Sequence, residues 1–365
     1  MKIYLATTIC TLFISPLDAK SIGDDIDYYS QLKSIESVRL NDIENASNQL
    51  DEISQFDSEF NEAEKDLYLL LLAHSKAMQS DYEGAKELLT TLTLNSNSID
   101  IRSRAYSILA VIQNIQGNDI DAFVALDNSL SQLSEVNDPI YRLDILQNAV
   151  GVYKEAELIE FALELSRRHL TEAIRSNKNE PLCHANYELA SIEIMAQKTK
   201  IAEERLKSTR QHCKESRQRL VLLEIDASLA QIAMINKRYD KAEKIMEEKY
   251  KDITHYDWEV LTSRANIIYS EIYLVKNRLN EAEKYATKAY KIAKGIQDKK
   301  RTLEASAVLA KIYSEMKNNE KAIKYYKEYM ELNNELRTKV RKRKLAFQST
   351  RETENLTLRT RANGR

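Results

Sequence analysis

Eight alanines set the phase of this chain. Ala85, Ala122, Ala162, Ala202, Ala242, Ala282 and Ala322 are separated first by 37 residues and then five times by 40, and Ala46 lies 39 before Ala85. Their settings are alike: Tyr82-Glu83-Gly84-Ala85, Asp119-Ile120-Asp121-Ala122, Tyr239-Asp240-Lys241-Ala242, Leu279-Asn280-Glu281-Ala282 and Asn319-Glu320-Lys321-Ala322. Twelve residues before each, from Ala85 onward, stands a second small or short residue: Ala73, Ala110, Val150, Ala190, Ala230, Ser270 and Ala310. A fixed period of this length marks an array of supersecondary units, none of which can bury its apolar face alone.

The interior of each unit reads as helix, short turn, helix. Polar turns separate the halves, as in Gln116-Gly117-Asn118, Asn236-Lys237-Arg238, Lys276-Asn277-Arg278 and Lys317-Asn318-Asn319. Only six glycines and three prolines occur in 365 residues, too few for the tight turns of a sheet protein. Tyrosine, with 20 copies against one tryptophan, suits half-buried seams between helices, where a ring needs a polar tip. The alanines are expected where the two helices of a hairpin approach most closely, with Ala242, Ala282 and Ala322 buried. Seven to eight hairpins of about 40 residues follow from the phase.

The unit resembles the tetratricopeptide repeat. Leu followed by a small residue (Leu72-Ala73, Leu109-Ala110, Leu189-Ala190, Leu229-Ala230, Leu309-Ala310), and a tyrosine three places after the small position (Tyr153 after Val150, Tyr273 after Ser270, Tyr313 after Ala310), match the first helix of that family. The alanine opening the second helix matches too, as do Tyr285, Ala289, Tyr325 and Tyr326 at later apolar positions. The tryptophan position is unfilled, and the period is 40 where the family's is 34. The resemblance spans residues 24–336. It implies an all-α, right-handed superhelical solenoid of antiparallel hairpins, with Ile26 to Phe56 as a polar cap and an extended C-terminal helix.

The two ends differ from the body. After Lys2, the stretch Ile3 to Leu17 is free of charge, and Pro16 and Asp18-Ala19-Lys20 follow it. That is the plan of a cleavable secretory signal over 1–19, too short to span a bilayer, and it places the mature chain in the periplasm or outside the cell. From Arg337 to the end, ten basic residues face two acidic ones, leaving 44 basic against 54 acidic for the rest. The acidic body gives no sign of a nucleic-acid partner. Residues 337–358 read as a basic helix and 359–365 as a disordered tail. Arg337, Lys339, Arg341, Lys342, Arg343 and Lys344 form either a solvated surface or a patch for anionic lipid or an acidic partner. Leu336, Val340 and Phe347 give a broken coiled-coil seam. The stretch with Met330-Glu331-Leu332, Lys344-Leu345-Ala346-Phe347 and Thr353-Glu354-Asn355-Leu356 resembles the linker helix of bacterial membrane sensors, in which periplasmic repeats feed a diguanylate cyclase or histidine kinase. That resemblance implies a membrane-associated signalling partner. No span and no output motif appears in the sequence given.

The sequence carries no nucleophile elbow, no zinc-protease motif, no phosphate loop and no glycine-rich nucleotide fingerprint, so no catalytic residue and no cofactor is expected. The function expected is capture of a protein or peptide in the groove lined by first helices, with Asn148, Asn186, Glu193, Asn266 and Tyr269 as contributors. The alternative is a scaffold or assembly factor for an envelope complex. Once Cys10 leaves with the signal, Cys183 and Cys213 remain. Their midpoint, residue 198, falls on a hairpin turn, so folding there lays the two side by side. They are then a disulfide, two buried free thiols, or, with His184 and His212, a metal site.

Overall fold

The computed structural model describes residues 27–39 and 43–363. The expected leader over 1–19 lies outside the described residues. Two compact units divide at Lys65 and Asp66.

The first unit holds α1 (Tyr28–Val38), α2 (Ile43–Ser54), a short 3-10 turn (Asp57–Glu59) and the first turn of α3 (Glu62–Met78). Asp27 caps α1 by accepting the Ser30 N–H. The Tyr28 hydroxyl donates to Glu59 at 2.6 Å, while its ring packs on Phe56 and Phe60. At α3, Asn61 accepts the Glu64 N–H and Glu64 accepts the Asn61 N–H, a reciprocal pair that satisfies two orphan donors of the helix start.

The second unit continues through α4 (Tyr82–Asn95), α5 (Ile99–Gln116), α6 (Asp119–Ser131), α7 (Pro139–Glu155) and α8 (Ile159–Ser176). It goes on through α9 (Asn179–Met195), α10 (Thr199–Glu215), α11 (Arg219–Ile235), α12 (Tyr239–His255) and α13 (Glu259–Val275). It ends with α14 (Leu279–Gly295), α15 (Lys299–Glu315) and α16 (Asn319–Asn363). The described residues are all-helical, and from α5 onward the helices pack as consecutive pairs in a solenoid. None of these helices is long and apolar enough to cross a membrane.

The alanine phase is the close-contact line of the array. Ala85, Ala162, Ala202, Ala242 and Ala282 are fully buried at the fourth position or so of each second helix, opposite buried Ala73, Val150, Ala190, Ala230 and Ser270. Ala322 differs from the expectation: it is only half-buried, because no further hairpin stacks on α16 at that point. α16 also runs on to Asn363, past residue 358, where the sequence reading ends the helix and begins a disordered tail. No glycine or proline stands between Asn319 and Asn363 to stop it.

A second, finer period appears in the backbone. Glu157, Asn177, Gln197, Arg217, Lys237, Asp257, Asn277, Gln297 and Lys317 all take the left-handed conformation, 20 residues apart. Each helix from α9 to α15 is 17 residues long, and a three-residue turn closes it. At Lys237 the turn donates Lys237 N–H to Met234 O and Arg238 N–H to Ala233 O, which satisfies the last carbonyls of α11. Side chains with a Cβ are strained there, and glycine is not. Lys237→Gly is therefore expected to stabilise the fold by about 1 kcal/mol, net of the extra freedom glycine gives the unfolded chain. A denaturant midpoint that falls in this variant would contradict that reading of the turn.

Candidate functional site

First helices face one way. α7, α9, α11, α13 and α15 together line a cavity of about 760 Å³. α16 packs along α15 and also against α6, so one helix reaches from the last hairpin back to the helix that precedes this row. A second cavity of about 1070 Å³ lies between α16 and the row, and shares Lys154, Met195, Lys300, Leu303 and Glu304 with the first.

The cavity wall is both charged and apolar. Arg264 sits at its centre: its guanidinium donates to Glu224 at 2.5 Å, Ser228 at 3.0 Å and Gln231 at 2.7 Å. Tyr187 donates to the same Glu224 at 2.8 Å, and burial with that carboxylate's charge pushes its hydroxyl up to about 12. His169 Nδ1 lies 3.0 Å from Glu188. These groups are mutually satisfied and hold the wall rigid.

Other charges in the cavity are not satisfied. Lys154 has no ion-pair or hydrogen-bond partner among the described residues, and burial pushes its amine down, opposed by the charge of Glu188 and helped by the like charge of Lys300. Glu271 also lacks a partner, and burial raises its carboxyl to about 7, helped by the like charge of Glu304 and opposed by Lys311. The Arg301 Nε is buried and receives no acceptor. Trp258, Ile194, Ile267, Ile268 and Val308 supply the apolar surface between these groups.

The sequence-derived groove residues lie elsewhere, in the seams between helices. Asn148 donates to Ser107 on α5. Asn186 accepts from Arg205, and Glu193 holds the same guanidinium through two bonds of 2.9 and 2.8 Å. Asn266 is fully buried, donating to Thr262 O and accepting from the Tyr250 hydroxyl. Tyr269 is sealed among Tyr250, Tyr273 and Tyr285. A helix turns about 100° per residue, so an adjacent residue faces a different neighbour. Gln147, Tyr187, Ile194, Ile267 and Ile268, next to those five, are the ones in the cavity. The signal that finds the wall is the phase itself. His184, Glu224, Arg264 and Glu304 stand 40 apart, as do Ser191, Gln231, Glu271 and Lys311, and all eight line the cavity. Where the core repeats alanine, these positions repeat only in place and vary in charge.

Cys183 on α9 and Cys213 on α10 are bonded to each other, with Cα atoms 4.8 Å apart, among buried Ala190, Leu206, Ile225 and Ile232. Their sulfurs are thereby unavailable as metal ligands. His212 Nδ1 is 2.9 Å from Asn179 Oδ1, and no group of three metal-type ligands converges among the described residues. Within the basic run, Arg343 is buried, 4% exposed, against α5, α6 and α7, and Lys344 pairs with Glu157 at 3.8 Å. Arg337, Lys339 and Arg341 line the cavity under α16, and Lys342 faces Asp119 and Asp121 across a shallower depression. Phe347, which the coiled-coil seam would need, is instead packed inside the chain.

Residues 261–335 match the family model described as tetratricopeptide repeat. The fold is similar to that of the Rap protein crystallised with competence and sporulation factor, at 13% identity and a TM-score of 0.61, over 86% of this chain and 99% of that one. It is similar to the apo quorum sensor NprR of B. thuringiensis, at 14% identity and a TM-score of 0.62, over 84% and 87% of the two chains. A signal transduction ATPase from Pyrococcus horikoshii with a tetratricopeptide repeat sensor gives 15% identity and a TM-score of 0.66, over 87% of this chain and 48% of that one. At these identities the likeness is one of fold. No curated protein sequence matches the chain. The architecture is thus a solenoid of tetratricopeptide type, with the recognisable repeats at 261–335 and a long C-terminal helix.

Proposed function

We propose that this chain is a peptide-binding solenoid and that the inner cavity is its ligand site. The observation that carries the reading is one wall holding charges of both signs around an apolar middle: Lys154, Lys300 and Glu271 have no ion-pair partner among the described residues, and Glu304 beside Glu271 pairs with Arg301 at 3.4 Å. Along α15 these two poles are one turn apart, about 5–6 Å. A linear peptide meets such a wall well: its amine or a basic side chain settles between Glu271 and Glu304, and an acidic group settles at Lys154. Its apolar side chains cover Ile267 and Trp258. The likeness in fold to a Rap protein that holds competence and sporulation factor, and to a quorum sensor, supports a role in capturing a signal.

The test is a positional-scanning hexapeptide library on the immobilised protein, with Lys154→Met and Glu271→Gln as controls. A linear preference that the first variant loses at its acidic position, and the second at its basic position, supports the reading. Equal enrichment on all three proteins would sink it. The selected peptide should also bind with a defined pH dependence. A cation favours ionised Glu271, whose carboxyl stands at about 7 in the free protein. Affinity is expected to rise as pH rises through that value, by up to about tenfold per unit below it, and to level off above. Glu271→Gln should flatten the profile.

The leader over 1–19 supports export to the periplasm or beyond, and the sensor-like C-terminal helix supports a membrane-associated signalling partner. A fusion of residues 1–30 to a reporter active only outside the cytoplasm checks the first. An intact but silent cytoplasmic fusion would remove it.

A further inference from the structure

The last hairpin does not end where its partner helix ends. α15 stops at Glu315, and the first half of α16 packs along it. The second half continues without a break to α6, far back in the chain. There Arg343, Phe347 and Arg351 form one stripe at four-residue spacing, and α6 presents Asp119, Phe123 and Asp127 at the same spacing. The stripes meet in register. Arg343 pairs with Asp119 at 3.3 Å, Phe347 meets Phe123 edge-on at 5.3 Å between centroids, and Arg351 pairs with Asp127 at 3.1 Å. The offset is 224 residues at each contact, so the two helices run parallel.

The α7 and α8 ends complete the seat. The Arg343 guanidinium donates to Asn114 O at 3.1 Å and Glu155 O at 3.2 Å, in the last turns of α5 and α7, where helix carbonyls carry partial negative charge. It also pairs with the Glu155 carboxylate. Tyr153 and Phe161 close on Phe347 from two further sides, at 5.7 and 4.9 Å, and Arg351 covers its ring and donates to the Tyr153 hydroxyl. At the same phase, later second helices carry Leu163 and Arg167, Glu203 and Lys207, Glu243 and Glu247, or Glu283 and Thr287 in place of Phe123 and Asp127, so this seat occurs once among them.

We propose that α6, with the ends of α5, α7 and α8, is a recognition surface for a basic helix bearing Arg-x-x-x-Phe-x-x-x-Arg. Its occupant is the chain's own segment 343–351, docked reversibly. Only Arg343, Ala346, Phe347 and Thr350 of that segment are buried, and one of its two ion-pair anchors, Arg351 with Asp127, is partly open to salt. The segment before it, Leu336 to Arg341, walls the cavity beneath α16. Docking therefore narrows the way to the inner face, and release widens it. The surface is separate from the ligand site proposed above, and its test reads helix docking with no ligand present.

The probe is a fluorescent synthetic peptide of residues 337–356, titrated into the full-length protein and followed by anisotropy. The wild-type seat is filled in cis at high effective concentration, so the peptide should bind it at least roughly tenfold more weakly than it binds full-length Phe347→Asp. A peptide carrying Arg343→Glu should not bind Phe347→Asp, because a carboxylate there would face Asp119, Glu155 and two helix-end carbonyls. Failure of Phe347→Asp to take the wild-type peptide would overturn the proposal. If that variant melts early, hydrogen exchange on the wild type decides. At high salt the amides of 340–351 should lose protection together while 319–336 keep theirs, and equal protection along α16 would overturn it. A dimer that the peptide dissociates would overturn the cis assignment and give the seat to a second copy.

Discussion

Removing the Cys183–Cys213 bridge is expected to lower the free energy of unfolding by about 3–4 kcal/mol. The bridge closes a stretch with a sequence separation of 30 across one hairpin, and cross-linking restricts the unfolded chain in proportion to the logarithm of that length. Both cysteines are fully buried among Ala190, Leu206, Ile225 and Ile232, so reductant reaches the sulfurs only when the α9–α10 hairpin opens. The clean comparison is therefore Cys183→Ala with Cys213→Ala against the oxidised protein in a denaturant titration. The small change in buried volume adds a minor packing cost to the same direction. An unchanged midpoint would show that the bridge does not form in the folded protein. The expectation also bears on export, because such a bridge persists only in an oxidising compartment.

Ala282→Leu should cost about 1–3 kcal/mol, because its Cβ is already enclosed. Ala282 stands on α14 with Ala286 and Ala289, all fully buried, in the same core as Ile268, Ile272 and Ala305. A leucine there has no free volume and must move α13 or α15. Ala322→Leu is the internal control: it has the same phase in the repeat, but it is half-buried beside the last hairpin. Its cost should fall well below that of Ala282→Leu. Equal melting temperatures for the two variants would mean that burial by the next hairpin is not what the alanine phase records.

Much of the architecture is legible in sequence because its causes are local and repeated. An alanine every 40 residues, a polar turn between helices and the scarcity of glycine and proline suffice for an all-helical repeat array. Cys183 and Cys213 could be placed side by side because a hairpin turn halves the distance between them. The cavity was harder. Asn148, Asn186, Glu193, Asn266 and Tyr269 are polar or amphipathic residues on first helices, but each is turned into a seam, where Arg205, Tyr250 or Ser107 satisfies it or tyrosine rings enclose it. Polarity alone does not separate a seam from a groove when one residue changes the direction by about 100°. The phase of His184, Glu224, Arg264 and Glu304 marks the wall only once the structure shows which phase faces inward, because charge varies in the seam too, at Asn186, Asp226 and Asn266.

The C-terminal helix shows the limit of local reading. The run from Arg337 to Lys344 offers an excess of positive charge, and its own neighbourhood gives no partner for it. Arg343 finds Asp119 and Glu155, and Lys344 finds Glu157, about two hundred residues earlier. Only the matching of two stripes, Asp-Phe-Asp on α6 and Arg-Phe-Arg on α16, carries the information, and it becomes meaningful once the solenoid brings those helices together.

The claim that the inner cavity is a peptide site is tested most directly by photo-crosslinking. A hexapeptide selected on the wild-type protein, remade with a benzophenone at its central apolar position, should attach to residues of the cavity wall such as Ile267, Ile268, Met195 or Leu303. Attachment should be lost with Lys154→Met and Glu271→Gln combined. Crosslinks that map to the second helices α10, α12 or α14, and persist in the double variant, would contradict the account.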